Sequence, residues 1–126
     1  MDDHQDHEDL IKNLTKEYSA ILESSSQGIY IYLDDNHKLC NEKFAQMLGY
    51  SVEEWSKPSE FIETYVAKES GERLVSAFQD AMEKSMASEI DVTWKKKDSS
   101  TVETDVILVP ISFEGHHFAL HFVTSD

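Results

Sequence analysis

Between Gly28 and Trp55 the chain reads GIYIYLDDNHKLCNEKFAQMLGYSVEEW, and within that span a period of two gives way to helical spacing across a short polar turn. Ile29, Ile31 and Leu33 alternate with Tyr30 and Tyr32, as a strand with two unlike faces requires. Asp34, Asp35, Asn36 and His37 supply turn-forming side chains. A second short strand, Lys38 to Cys40, ends at Asn41, whose side-chain oxygen can accept from the open amides of a helix carrying Phe44, Met47 and Leu48. Gly49 stops that helix, and Ser51 with Glu54 forms a Ser-x-x-Glu capping box that opens the next. The span therefore encodes a strand pair feeding two small helices.

The flanking segments extend this pattern. The first nine residues are almost all Asp, Glu, His and Gln, offer nothing to bury and are expected to fray. A helix follows from about Leu10 to Glu23, with Ile11, Leu14, Tyr18 and Ile21 at seam spacing. Two such repeats are too few for an independent coiled coil, so the seam needs another surface. Ser24 to Gln27 reads as a linker, which divides the chain into an acidic tail plus amphipathic helix (1–23) and a main domain (24–126). Beyond Pro58, residues Phe61, Ile62, Tyr65 and Val66 suggest a short helix. The longest helix is predicted from Glu72 to Ala87, with Leu74, Phe78, Ala81, Met82 and Ser85 on one stripe. Three strands complete the chain, turning at Asp98-Ser99-Ser100 and at Glu114-Gly115. The middle one, Thr101 to Ile111, becomes apolar on both faces from Val106 to Val109.

Two sheet faces follow from these alternations. One is expected beneath the helices that carry Phe44, Leu48, Leu74 and Phe78, and the other exposes Tyr30, Tyr32, Ile107, Val109 and Ile111. That is more apolar area than a solitary domain leaves wet, so the N-terminal helix or a second copy should cover it. Ile11, Leu14, Tyr18 and Ile21 are then the dimer or partner seam, with Tyr30, Tyr32, Ile107, Val109 and Ile111 as the receiving surface. On the helix side, an apolar space is expected among Ile31, Phe44, Leu48, Trp55, Phe61, Leu74, Phe78, Val92, Trp94, Leu108, Phe118 and Leu120. Aromatics of that size can fill such a space or wall a ligand pocket, and a filled core is the default.

A length of 126 residues fits one domain able to bury about two thirds of its unfolded surface. The formal charge of −14 argues against nucleic acid, which is bound by neutralising phosphates with Lys and Arg. Lys95-Lys96-Lys97 is the single basic run and reads as a solvated hairpin end that deters strand pairing. One cysteine cannot form an internal disulfide, the N-terminus carries no basic or apolar leader, and no apolar run approaches bilayer length. The expectation is a cytoplasmic protein without a membrane segment.

Catalytic and metal chemistry finds little support. His117 and His121 share a strand face but lie about 13 Å apart at ~3.3 Å per residue, too far for one metal. His116 points to the opposite face. His4 and His7 could meet on a helix with Asp3, Asp6 or Glu8, a spacing common by chance in an acidic tail. Cys40, on a strand, reads as a small core residue, and Asp91, Glu103 and Asp105 as solvated carboxylates beside Lys95. No glycine-rich phosphate cradle, nucleophile elbow or two-His helix motif occurs. A non-enzyme is expected.

The Gly-Ile strand ending in Asp, the strand leading to Asn41-x-x-Phe44-Ala45, and Leu48-Gly49-Tyr50-Ser51-x-Glu53-Glu54 together resemble the N-terminal half of a PAS domain. The plan extends over about Ser19 to Ser125, its second half matching as a helix followed by three strands. Relatives often carry His-Pro-Glu-Asp ahead of the long helix, where this chain has Ala67-Lys68-Glu69-Ser70. The resemblance implies an α+β fold with a five-stranded antiparallel sheet, helices on one face and an N-terminal helix on the other. It implies a sensory domain that relays small-ligand or partner binding by helix–sheet packing and dimerisation. The alternative is a ligand-free dimerisation module with a filled core. Set against the family's cofactor motifs, Ser56 to Ile62 lacks the flavin-bonding cysteine and no histidine lies between His37 and His116 for helix-side haem ligation. Cys40 precedes the position of a coumaroyl attachment. No cofactor is expected, only an unidentified small apolar ligand, a homodimer and a signalling partner.

Overall fold

The computed structural model describes residues 3–34, 37–113 and 115–125, with side chains for all of these except residues 3–8, Asp34, Phe113 and His116. The elements are α1 (Asp3–Glu17), α2 (Ser19–Ser24), β1 (Gly28–Asp34), β2 (His37–Cys40), α3 (Glu42–Leu48), α4 (Val52–Ser56), α5 (Phe61–Tyr65), α6 (Lys68–Lys84), β3 (Ser88–Lys95), β4 (Thr101–Phe113) and β5 (His116–Ser125). The five strands form one antiparallel sheet in the order β2-β1-β5-β4-β3, with α3 to α6 on one face and α1 on the other.

The cap residues act as the sequence predicts. Asn41 Oδ1 accepts from Phe44 N and from Ile29 N, both at 3.0 Å, while its amide donates to the Gln27 carbonyl at 3.1 Å. One side chain thus starts α3 and fastens it to β1. Gly49 closes α3 with a left-handed φ of 86°, and Ser51 and Glu54 complete both bonds of the capping box. Asn41 is 4% exposed, so Asn41→Ala would strand two buried amides. A loss of about 3 kcal/mol is expected, combining a lost cap with an orphaned donor. Urea unfolding measures it, and a loss below about 0.5 kcal/mol, the range of ordinary surface changes, would contradict this role.

Three helical expectations are corrected. The first helix reaches back to Asp3 where fraying is predicted, because acidic residues in opening turns are favoured by the helix dipole. It breaks at Tyr18, and its packed face runs through Leu10 and Leu14, which are 2% and 0% exposed, with Ile11, Tyr18 and Leu22 flanking. Ile21 is 47% exposed and lies off that face, since the buried positions step by one helical turn from Leu10 rather than from Ile11. The longest helix begins at Lys68 and ends before Ser85, which adopts a left-handed φ of 52° outside the stripe.

The start of α6 is held by β3 instead of by a capping side chain. Ala67 N donates to the Thr93 carbonyl and Thr93 N donates to Ser70 Oγ, both at 2.9 Å. Val66 bridges Trp94, and Arg73 Nη1 reaches the Asp91 carbonyl at 2.9 Å. Ser70, the last residue of the departure from the family's usual motif, is therefore the fastening.

The strand faces are the main correction. Tyr30 and Tyr32, assigned by sequence to the open face, lie under the helices, and Tyr30 is 1% exposed among Phe44, Trp55, Phe61 and Trp94. Ile31, Phe118 and Leu120, assigned to the helix side, pack with Leu10 and Leu14 of α1 on the opposite face. Both alternating sets of β1 carry large apolar or aromatic residues, and β5 sets Phe118, Leu120 and Phe122 against His117, Ala119, His121 and Val123, so hydrophobicity alone does not assign the face beneath the helices. Gly28 fixes it, because a Cβ there would sit 3.1 Å from the backbone of Phe44. The even positions of β1 therefore face α3, and the pairing of Tyr30 with His121 and Ile31 with Leu120 carries the phase to β5. On β4, Val106 and Leu108 are buried beneath the helices. Ile107 is 37% exposed on the other face, where Val109 and Ile111 are half-buried, so this strand is not sealed on both sides.

The Asp34-Asp35-Asn36 turn, Glu114, His116 and the His4/His7 arrangement lie outside the described residues and side chains.

Candidate functional site

Where α5 and α6 meet the sheet, a cavity of about 240 Å³ is lined by Tyr30, Tyr32, Phe61, Ile62, Leu74, Val75, Phe78, Gln79 and His121. Each wall has a local cause. β1 turns its even residues inward because of Gly28, β5 presents His121 directly opposite Tyr30, and α6 offers Leu74 and Phe78 one turn apart. The small residues Ala77 and Ala81 let α6 lie close to the sheet, leaving the open volume beside Phe78.

Of the residues sequence places in a pocket, Phe61, Leu74 and Phe78 line this cavity. Phe44, Leu48, Trp55, Val92, Trp94 and Leu108 share the helix side but fill the core next to it, each at most 1% exposed. Ile31, Phe118 and Leu120 are on the far face. Sequence reasoning misses Tyr30, Tyr32, Ile62, Val75, Gln79 and His121 as lining residues. Gly28 is the signal that could have found the strand members, since a glycine at the start of β1 marks the face approached by a helix backbone.

His121 is the least foreseen of these residues. It is 1% exposed, its ring stacks on Tyr30 with centroids 4.0 Å apart and planes 11° from parallel, and Phe78 lies parallel to it at 6.3 Å. Its Nδ1 stands 3.3 Å from the Tyr30 carbonyl, which can only accept, so Nδ1 carries a hydrogen. Burial drives its pKa down to about 3 against the opposing pull of backbone hydrogen bonds at Tyr30 and Ala119. The imidazole is therefore neutral at physiological pH. Tyr30 keeps its phenolic proton, since burial raises its pKa well above the ordinary value, yet its hydroxyl is buried with no hydrogen-bond partner among the described residues.

Other sequence candidates are dispersed. His117 is exposed and meets Ser112 Oγ at 2.9 Å, while burial pushes the Cys40 thiol up to about 12, which makes it a poor nucleophile. Asp91 and Asp105 face each other across β3 and β4, and Lys95 turns away to the Glu63 carbonyl. Among the described residues no cluster of three His, Cys, Asp or Glu could hold a metal, and no helix is long and apolar enough to cross a membrane.

An antiparallel sheet of order 2-1-5-4-3, with short helices and one long helix across a single face, defines the class as an α+β domain of the sheet-and-helix type. Within it, this chain belongs to the PAS family, whose model, described as the PAS fold, matches residues 16–123. PAS domains are typically sensory or signal-transduction modules rather than enzymes.

The chain is similar to the PAS domain of an HTR-like protein from Haloarcula marismortui, at 20% identity over 97% of this chain and 99% of that one, with a TM-score of 0.64. It is also similar to a PAS domain from Colwellia psychrerythraea, at 16% identity over 90% and 97% of the two chains, with a TM-score of 0.70. A third similar structure is the PAS domain of a LuxR-family transcriptional regulator from Burkholderia thailandensis in complex with ethanol. It is 12% identical over 86% of this chain and 96% of that one, with a TM-score of 0.64. No curated protein matches the chain.

Proposed function

We propose that this domain is a sensory relay. A small molecule in the cavity alters how α6 packs on the sheet, and α1 or a second copy of the chain reads the change on the opposite face. The observation that carries this reading is that β1 and β5 serve both surfaces. Tyr30, Tyr32 and His121 wall the cavity, while Ile29, Ile31 and Leu120 on the same two strands lie under α1. A ligand works such a relay only through unequal affinity for two arrangements. The Burkholderia thailandensis neighbour is a PAS domain in complex with ethanol, which supports a small-molecule reading. A cytoplasmic setting belongs to the same proposal, since one buried free thiol suits a reducing compartment.

Native mass spectrometry of the purified protein, read with its absorption spectrum, tests the ligand part; a retained small molecule is the expected result. The filled-core alternative is favoured by the fully buried Phe44, Trp55 and Trp94, and recovery of the bare chain mass from every preparation would support it. Self-association through the outer face is tested by Ile107→Asp combined with Val109→Asp, which should raise the dimer dissociation constant at least about tenfold, the effect of burying unpaired charge. An unchanged sedimentation pattern at matched concentration would remove that part of the proposal.

A further inference from the structure

Among the described residues, no Lys, Arg, Asp or Glu lines the cavity between α5, α6 and the sheet, and burial holds His121 neutral. A charge placed there would give up its water without gaining a counter-ion, a large penalty in an apolar site. The buried part of any guest is therefore apolar. Scaled from the ~150 Å³ cavity that takes benzene, about 240 Å³ accommodates on the order of ten non-hydrogen atoms.

The rim of this cavity is also the wall of a second hollow. Ile62, Val75 and Gln79 line both the cavity and a surface groove, which adds Gly71, Glu72 and Ser76. Gly71, Val75 and Gln79 follow one another at every fourth position of α6, so the groove runs along the helix axis for about 12 Å at ~1.5 Å per residue. Gly71 keeps it open, because a Cβ there would already lie 3.6 Å from Ile62 Cγ2, and a longer side chain would reach across to α5. Val75 is 40% exposed on the shared rim, and Glu72, Ser76 and Gln79 are exposed. The inner end of the combined space is thus apolar, while the outer end offers hydrogen-bonding groups and a carboxylate but, among its described residues, no cation.

A long space with one polar end suits a chain better than a compact ring. A compact guest would leave Ile62 and Val75 wet, whereas a chain covers them and keeps its head hydrated. We infer that the site binds a single-chain aliphatic molecule with an uncharged polar head, its tail in the cavity and its head beside Ser76 and Gln79. The inference rests on the ligand-sensing reading above and names the class of molecule sensed.

The probes are 1-octanol, 1-butanol and octanoate, followed by amide chemical shifts on the full chain, on Val75→Trp and on Gln79→Lys. Octanol should move amides of α5, α6, β1 and β5 and bind at least about thirtyfold more tightly than butanol, which has four fewer methylenes to bury. Octanoate should bind at least about fivefold more weakly than octanol, because its head would meet Glu72 and the field of a chain of net charge −14. Gln79→Lys should narrow that gap at least about threefold. Val75→Trp should close the rim and weaken octanol at least about tenfold. Since Val75 is 40% exposed, this variant should melt within about 4 °C of the native chain, which separates a blocked entry from a damaged fold.

Octanoate binding as tightly as octanol, with no response to Gln79→Lys, would overturn the uncharged head beside Gln79. A folded Val75→Trp that binds octanol like the native chain would overturn the passage of the tail over the α5–α6 rim. Should the bulkier variant unfold, the response to Gln79→Lys decides the placement alone. If octanol moved no amide at millimolar concentration, the inference would fall. A retained molecule of another class in native mass spectrometry would then leave the relay reading standing, and a bare chain mass would remove its ligand part.

Discussion

Leu14→Asp should cost about 4 kcal/mol and unseat α1 from the sheet. Leu14 is fully buried against the cluster of Ile29, Ile31, Phe118 and Leu120, with Leu10 one turn earlier. A carboxylate there loses the leucine's burial and must be desolvated without a partner, so the cheaper response is for the helix to lift away. Its docking energy then sets the upper limit of the loss. Detachment bares an apolar sheet face, and three readouts should move together: helical circular dichroism falls, binding of a hydrophobic dye rises, and the urea midpoint drops. Ile21→Asp is the control, since Ile21 is 47% exposed and should change stability by less than about 0.5 kcal/mol. A destabilising Ile21→Asp would show that the docked face follows the seam read from sequence, and a silent Leu14→Asp would overturn docking of this helix on the sheet altogether.

The second large effect is acid instability centred on His121. Its folded pKa is depressed to about 3 from an ordinary 6.5 by burial, so between those limits the unfolded chain binds a proton that the native one refuses. The stabilising contribution of the neutral imidazole is complete above pH 6.5 and is lost as pH falls toward 3, with a slope of about 1.4 kcal/mol per pH unit in the window. The total is on the order of several kcal/mol, comparable with the whole stability of many domains. Tyr30, Phe78 and Leu108 surround the ring, and none can supply a compensating charge at these pH values.

Other groups have different windows or act equally on both proteins. Glu54, held down to about 2 by Lys97 and the Ser51 amide, contributes above its ordinary 4.5 and loses that contribution only below it. Relief of the net charge of −14 on acidification acts in the opposite direction but is shared by a His121→Phe variant. The difference between native and His121→Phe stabilities from pH 6.5 to 4.5 therefore isolates the imidazole. Parallel curves for the two proteins would show that His121 does not carry the acid transition.

The local signals of the N-terminal half were legible because each is set by one or two side chains. Asn41 caps α3, Gly49 ends it, and Ser51 with Glu54 begins α4, all within a few residues of sequence. The phase of β1 and β5 was not legible from hydrophobicity, since Ile29 and Ile31 compete with Tyr30 and Tyr32 for the same core. Only the close approach of Phe44 to Gly28 decides between them, and it is a tertiary contact. The cavity was half-legible for the same reason. Its α5 and α6 walls, Phe61, Leu74 and Phe78, follow from helical spacing, whereas its strand walls depended on the phase. His121 looked like one of several scattered imidazoles, and its stacking against Tyr30 appears only once β5 is laid beside β1.

At the outer margin of β3, backbone groups at Asp91 and Thr93 are already engaged by Arg73, Ala67 and Ser70, and Trp94 is bridged by Val66. An incoming chain would find the Asp91 carbonyl and both backbone groups of Thr93 occupied. Pairing of a cross-β strand along Asp91 to Trp94 would have to displace Val66, Ala67 and the start of α6, so the same contacts that begin the longest helix also shield this stretch from amyloid templating.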